Sequence, residues 1–177
     1  DLSGIAALAD GSYEVVATAT DVLANSSSDA TTNELVIDTA GPTVPTVTAL
    51  TTNDPTPVIS GTYDAVGTNT LTVTVNTVTY TLGSSTELTA VGNNWTLDLS
   101  GIAALADGTY QVVATATDAF ANSSSDAGTD DLVIDTAAPT APTVTAQTTN
   151  DTTPVISGTG ESTSTSHGSP MIVVPRK

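Results

Sequence analysis

The 177-residue chain carries a formal net charge of −17, and its only cations, Arg176 and Lys177, stand at the extreme C-terminus. Nucleic acid is thereby excluded as a partner, because phosphate binding needs a basic surface, and docking on an anionic membrane is disfavoured on the same ground. There is no cysteine for disulfides or thiol chemistry, no apolar run long enough for direct membrane insertion and no visible signal peptide.

Residues 1–40 open with the apolar stretch Ile5-Ala6-Ala7-Leu8-Ala9 and a turn at Asp10-Gly11. From Tyr13 to Thr20 the pattern alternates as in a half-buried strand, with Tyr13, Val15, Ala17 and Ala19 on one face. Asp21 to Asp29 reads as a polar loop and Leu35-Val36-Ile37 as a closing strand.

The next stretch predicts about seven short strands. Val44–Ala49 comes first, broken by Pro45, which suggests an edge. Thr56–Thr62 and Asn69–Val75 follow, then a tight turn at Asn76-Thr77 into Val78–Leu82. A loose Gly/Ser/Thr segment separates these from Asn94–Leu99, which points Trp95, Leu97 and Leu99 inward. Thr109–Thr117 and Asp131–Ile134 complete the set. Strands of this number and length, with turn signals between them, predict an all-β fold, a two-sheet sandwich of immunoglobulin type. Asp107-Gly108-Thr109-Tyr110 fits a tyrosine corner, in which the phenol bonds back to the preceding loop.

The chain repeats itself. Asp1–Thr62 aligns with Asp98–Thr159 at a period of about 97 residues, a whole domain rather than a solenoid unit. The differences are mild, such as Glu14 to Gln111, Leu23 to Phe120 and Pro55 to Thr152. Domain boundaries belong in the Pro-rich hinges. Residues 1–40 are then the C-terminal part of one Ig-like repeat, 41–138 a complete repeat and 139–159 the N-terminal part of the next. Neither partial repeat can close a core alone, so poor order or strand exchange with neighbouring chains is expected at those ends. Residues 160–177 leave the repeat and hold the only His (His167) and Met (Met171). They read as an appended end or as a terminal segment that docks Met171–Val174 as a strand.

TNDTTPVISGT, a W-x-L strand, LADGTYQVVATATDAFANSSS and LVIDTAAPTAP form an ordered set of motifs. Together they resemble the bacterial Ig-like repeats of giant surface adhesins, the RTX and biofilm-associated types of Gram-negative bacteria. The resemblance covers roughly residues 1–159. It implies a tandem extender on the bacterial cell surface, stiffened by Ca²⁺, that holds a distal adhesive domain away from the cell and contacts neighbouring repeats of its own chain.

The topology places acidic residues to match. In a sandwich, the loop of Asn53-Asp54, the loop of Asp107 and the end of the last strand at Asp135 share the pole that faces the next module. Asp10, Asp38, Asn150 and Asp151 are their counterparts in the partial repeats. Ca²⁺ takes six to eight oxygens, and backbone carbonyls or water can complete the shell. Each aspartate alone reads equally well as a turn former or a solvated carboxylate; together, with no cation to balance them, they point to Ca²⁺. A weaker candidate site at the opposite pole comprises Asp64 and Asp118, with Asn122, Asp126, Asp130 and Asp131 in the last hairpin loop. There Asp118 and Asn122 also read as a loop closed by its own side chains. Catalysis has nothing to stand on: the one histidine lies off the repeat, no aromatic sugar platform accompanies the carboxylates, and Trp95 reads as core. The alternative to an extender is an Ig-like module that recognises a glycan or host protein through its loops.

Overall fold

A computed structural model describes residues 4, 6–126 and 128–160. Ile5 and the tail from residue 161, with the strand expected at Met171–Val174, lie outside them. The chain divides into two compact units, Asp1–Thr136 and Ala137–Lys177. Among the described residues all regular structure is β, as the alternating patterns predict.

Residues 1–40 form two small ribbons. β1 (Gly11–Tyr13) pairs with β4 (Leu35–Ile37), and β2 (Thr18–Thr20) with β3 (Ser26–Ser28), both antiparallel. The complete repeat follows as β5 (Thr46–Val47), β6 (Leu50–Thr52), β7 (Val58–Thr62), β8 (Thr70–Val75), β9 (Val78–Thr81), β10 (Leu88–Val91), β11 (Asn94–Asp98), β12 (Gly108–Tyr110), β13 (Val112–Thr117), β14 (Ser123–Ser125) and β15 (Leu132–Ile134).

One layer of the sandwich runs β10-β11-β7-β5. The other is built on the run β12–β13, which is interrupted at Gln111. Its first part lies in the order β12-β15-β6 and its second in β14-β13-β8-β9. Strand alternation makes the core: Ile59, Leu88, Trp95 and Leu97 come from the first layer, and Leu71, Val73, Val75, Val112, Ala114, Leu132 and Ile134 from the second. Trp95, Leu97 and Leu99 are fully buried, as their spacing predicts.

Trp95 fixes the edge strand. Its indole N–H donates to the Thr46 carbonyl at 3.1 Å, and Gly61, opposite it on β7, leaves the room that this approach needs. A Cβ at Gly61 would collide with the Thr46 carbonyl and the indole ring. The exposed faces are laced by hydroxyl pairs across strands: Thr46 with Thr62 at 2.7 Å, Thr74 with Thr79 at 2.8 Å, and Thr115 with Ser125 at 2.8 Å. The turn at Asn76-Thr77 forms as expected, with positive φ at both residues (47° and 67°) and Val75 facing Val78.

The expected strand list needs four corrections. The first strand is cut short: β5 pairs with β7, then the chain crosses layers at Thr48-Ala49 and β6, beyond the expected range, runs parallel to β15. The sixth is divided at Gln111. The loose segment before Trp95 contains β10, which pairs with β11 along Leu88–Val91. The serine run, expected as loop, forms β14 because Thr115–Thr117 offers it a paired edge.

In the second unit β16 (Thr143–Val144) pairs with β17 (Gly158–Thr159). These are counterparts of β5 and β7, with the same hydroxyl pair, Thr143 to Thr159 at 2.6 Å.

Replacing Gly61 by alanine should force β5 or Trp95 out of place and destabilise the repeat by about 1–3 kcal/mol, the range for an overpacked core. Urea unfolding followed by Trp95 fluorescence measures this; an unshifted midpoint would show that the β5 edge gives way freely.

Candidate functional site at the module poles

At the trailing pole the chain leaves β6 at Thr52, turns through Asn53-Asp54 and enters β7. Asp135 follows β15, and its N–H donates to the Thr52 carbonyl at 3.0 Å, which extends the parallel pairing by one rung. The Leu105 N–H reaches the Pro55 carbonyl at 2.9 Å, drawing the Asp107 loop to the same end. The segments of Asn53, Asp54, Asp107 and Asp135 are therefore brought together.

The carboxylates of Asp107 and Asp54 are already engaged locally. Oδ1 of Asp107 accepts the Thr136 hydroxyl at 2.7 Å and the Thr136 N–H at 3.0 Å, clamping the end of β15 to the loop before β12. These two donors, the hydroxyl first, hold the Asp107 carboxyl below the ordinary aspartate range. Oδ1 of Asp54 accepts the Thr56 N–H at 2.9 Å and its hydroxyl at 3.2 Å. The tyrosine corner stands beside them: the Tyr110 hydroxyl donates to the Ala106 carbonyl at 2.9 Å.

The counterparts repeat these bonds. Asp10 accepts the Thr39 hydroxyl and N–H at 2.8 and 3.1 Å, and Tyr13 donates to Ala9 at 2.7 Å. Oδ1 of Asp38 accepts the Ala40 N–H at 3.2 Å. Asp151 accepts the Thr153 N–H at 2.9 Å, and Asn150 precedes it in the same turn. The threonine partners were missed in the sequence, although the D-x-T spacing of Asp54 to Thr56 and Asp151 to Thr153 is an ordinary signal for such a turn.

Among the described residues the trailing pole forms no complete cage for Ca²⁺. The donors are hard oxygens of the right kind, but among the described residues no three of His, Cys, Asp and Glu stand close enough together to hold a metal ion.

The leading pole carries the loops of Asp64 and Asp118. Oδ1 of Asp64 accepts the Val66 N–H at 3.0 Å. Asp118 closes the β13–β14 hairpin: Oδ1 accepts the N–H groups of Phe120 (2.8 Å) and Asn122 (2.9 Å), and Oδ2 accepts the Asn122 side-chain amide at 3.0 Å. That amide is the first cause of the lowered Asp118 pKa. Ala121 takes a left-handed φ of 68° inside this loop, and Ala24, its counterpart, the same value. Asp21 and Asn25 reproduce the bonds, with the side-chain pair at 2.8 Å.

Asp126, Asp130 and Asp131 do not belong with this pole. Because β14 ends at Ser125, the chain runs back alongside β13, with Asp126 N–H bonded to the Ala114 carbonyl at 2.9 Å. Asp131 is 7% exposed and accepts the Val112 N–H at 3.2 Å just after the break at Gln111. Glu34 does the same for Val15 at 3.0 Å. This carboxylate staples the point where strand pairing changes partners, a role that the loop reading did not foresee.

Residues 47–136 match the family model described as bacterial Ig-like domain. No curated protein matches the sequence.

Asp107→Ala should lower the urea midpoint at neutral pH. Because the folded pKa lies below the unfolded value of about 3.9, the stabilisation is present above that value and is lost as pH falls through the folded one. The gap between parent and variant should close below about pH 4 in paired unfolding curves. A gap constant with pH would assign Asp107 to shape rather than charge.

Proposed function

Since the chain belongs to the family of bacterial Ig-like domains, typically non-catalytic structural or binding modules of extracellular or surface proteins, we propose that it is an extender segment of a bacterial surface adhesin. Tandem repeats of this kind hold a distal adhesive domain away from the cell. The observation that carries this reading is the near-identity of successive copies, down to hairpin loops: Ala24-Asn25-Ser26-Ser27-Ser28 recurs as Ala121-Asn122-Ser123-Ser124-Ser125. Their internal bonds recur with them. A spacer needs only length and a reproducible junction, and near-identical copies supply both.

Ca²⁺ belongs to this proposal as the stiffener. Asn53, Asp54, Asp107 and Asp135 would contribute hard oxygens from one side of the hinge, and the following module would complete the shell. The ion would supply charge neutralisation between carboxylates that have no internal cation to balance them. Pro139 and Pro142 limit the hinge to extended shapes without choosing one orientation, and motion between domains is the default when their interface is small.

On an array of complete modules, Ca²⁺ at 100 times its dissociation constant should add roughly 2.7 kcal/mol per site, and small-angle scattering should show the maximum dimension shrink on chelation. Asp135→Ala in every repeat should give the same shrinkage with Ca²⁺ present. Identical melting curves and dimensions in Ca²⁺ and chelator would remove the ion from the reading and leave a metal-free spacer.

A further inference from the structure

We infer that the Asp118–Asn122 hairpin is the docking surface for the preceding repeat, and that one neutral hydrogen bond, from the Asn122 side-chain amide to the Asp38 carbonyl, sets the angle between modules. This rests on the tandem-spacer reading and names the contact through which one copy of the module holds the next.

Asn122 is prepared for the task. Its N–H is tied to Asp118 Oδ1, and one amide hydrogen to Asp118 Oδ2 at 3.0 Å, so the side chain is locked before any partner arrives. The amide also reaches the Asp38 carbonyl at 3.1 Å, 84 residues away in sequence. That carbonyl follows directly on β4, the last strand of the preceding copy, and Asp38 turns its own carboxylate onto the Ala40 N–H. A primary amide has two N–H donors, which suits it to a fixed carboxylate on one side and a fixed carbonyl on the other.

A second contact lies three residues on. Gly41 sits so close to β14 that a Cβ there would stand 2.7 Å from the Ser124 hydroxyl and 3.1 Å from the Ser123 carbonyl. The first residue of the complete repeat, where the chain arrives from the preceding copy, is thus seated on the hairpin itself. Ala138 occupies this register position after the complete repeat. The Ser124 hydroxyl can swing aside for a methyl group, but a branched side chain would also press on the Ser123 backbone. Asn25, although bonded to Asp21 in the same way, stands in the hairpin of the preceding copy and provides the internal control.

The full chain has no cysteine, so Thr32→Cys and Thr89→Cys place one spin label in residues 1–40 and one in the complete repeat. Electron–electron distance measurements in Ca²⁺ should give a narrower distribution in the parent than in the junction variants. Asn122→Ala should at least double its width, and Asn25→Ala should leave it as it was. Gly41→Val, outside every strand of the repeat, should shift or broaden the distribution even if Asn122→Ala loosens the hairpin. The inference is overturned if Asn122→Ala and Gly41→Val both leave the distribution intact. It is also overturned if chelation broadens the parent while Asn122→Ala in Ca²⁺ does nothing; that result assigns the angle to the ion. Equal widths with and without chelator, with broadening by Asn122→Ala, support the amide bond and separate it from the fate of the Ca²⁺ reading.

Discussion

A chain with nineteen carboxylate side chains and only two cationic residues, both past the repeats, has to stabilise its charges with neutral donors. That constraint shapes almost every loop. Asp107 takes a threonine hydroxyl and N–H, Asp118 takes two N–H groups and an asparagine amide, and Asp131 takes the one N–H exposed where strand pairing changes partners. Where the donor is a backbone N–H, the bond serves twice, because it also pairs a group that the sheets leave unpaired. Carboxylate and loop therefore hold each other, and the sandwich can tolerate its charge without ion pairs.

The loops are consequently a property of local sequence, whereas the core depends on the whole repeat. Asp10, Asp21 and Asp151 make the same bonds as Asp107, Asp118 and Asp54 although their repeats are partial. The apolar residues behave otherwise. Val15, Ala17 and Ala19 are exposed, while their counterparts Val112, Ala114 and Ala116 are fully buried. Ile156 is exposed at 36% and its counterpart Ile59 at 1%. Identical strands are covered only where the opposite layer, with Trp95 and Leu97 for Ala114 and Leu71 for Ile59, is part of the same repeat.

This difference explains what could be read in advance. The sandwich, the inward face of Trp95, the Asn76-Thr77 turn and the tyrosine corner follow from periodicity or from the chemistry of a few adjacent residues, which are local properties. The β14 strand did not, since serine has little preference for a strand and is held there by pairing with Thr115–Thr117. Nor did β10, a four-residue edge strand whose Thr89 and Val91 face solvent. Layer crossing at Thr48-Ala49 leaves no trace in an alternating pattern. Among the candidate ligands, the segments of Asn53, Asp54, Asp107 and Asp135 reach one end, but which oxygens were already engaged depended on threonines two or twenty-nine residues away.

Charge and the junction contact then act on different scales. Repulsion between acidic modules reaches only about a Debye length, 8–10 Å at ordinary ionic strength, so it can oppose folding back of the array but cannot choose a rotation about its axis. A hydrogen bond between a locked amide and a strand-end carbonyl has direction as well as distance, and because neither group is charged it is little affected by salt. The Asn122–Asp38 bond and the seat of Gly41 on β14 can therefore fix an angle that uniform negative charge leaves open. Uniform charge can oppose folding back, but only a directional neutral contact can make successive junctions alike.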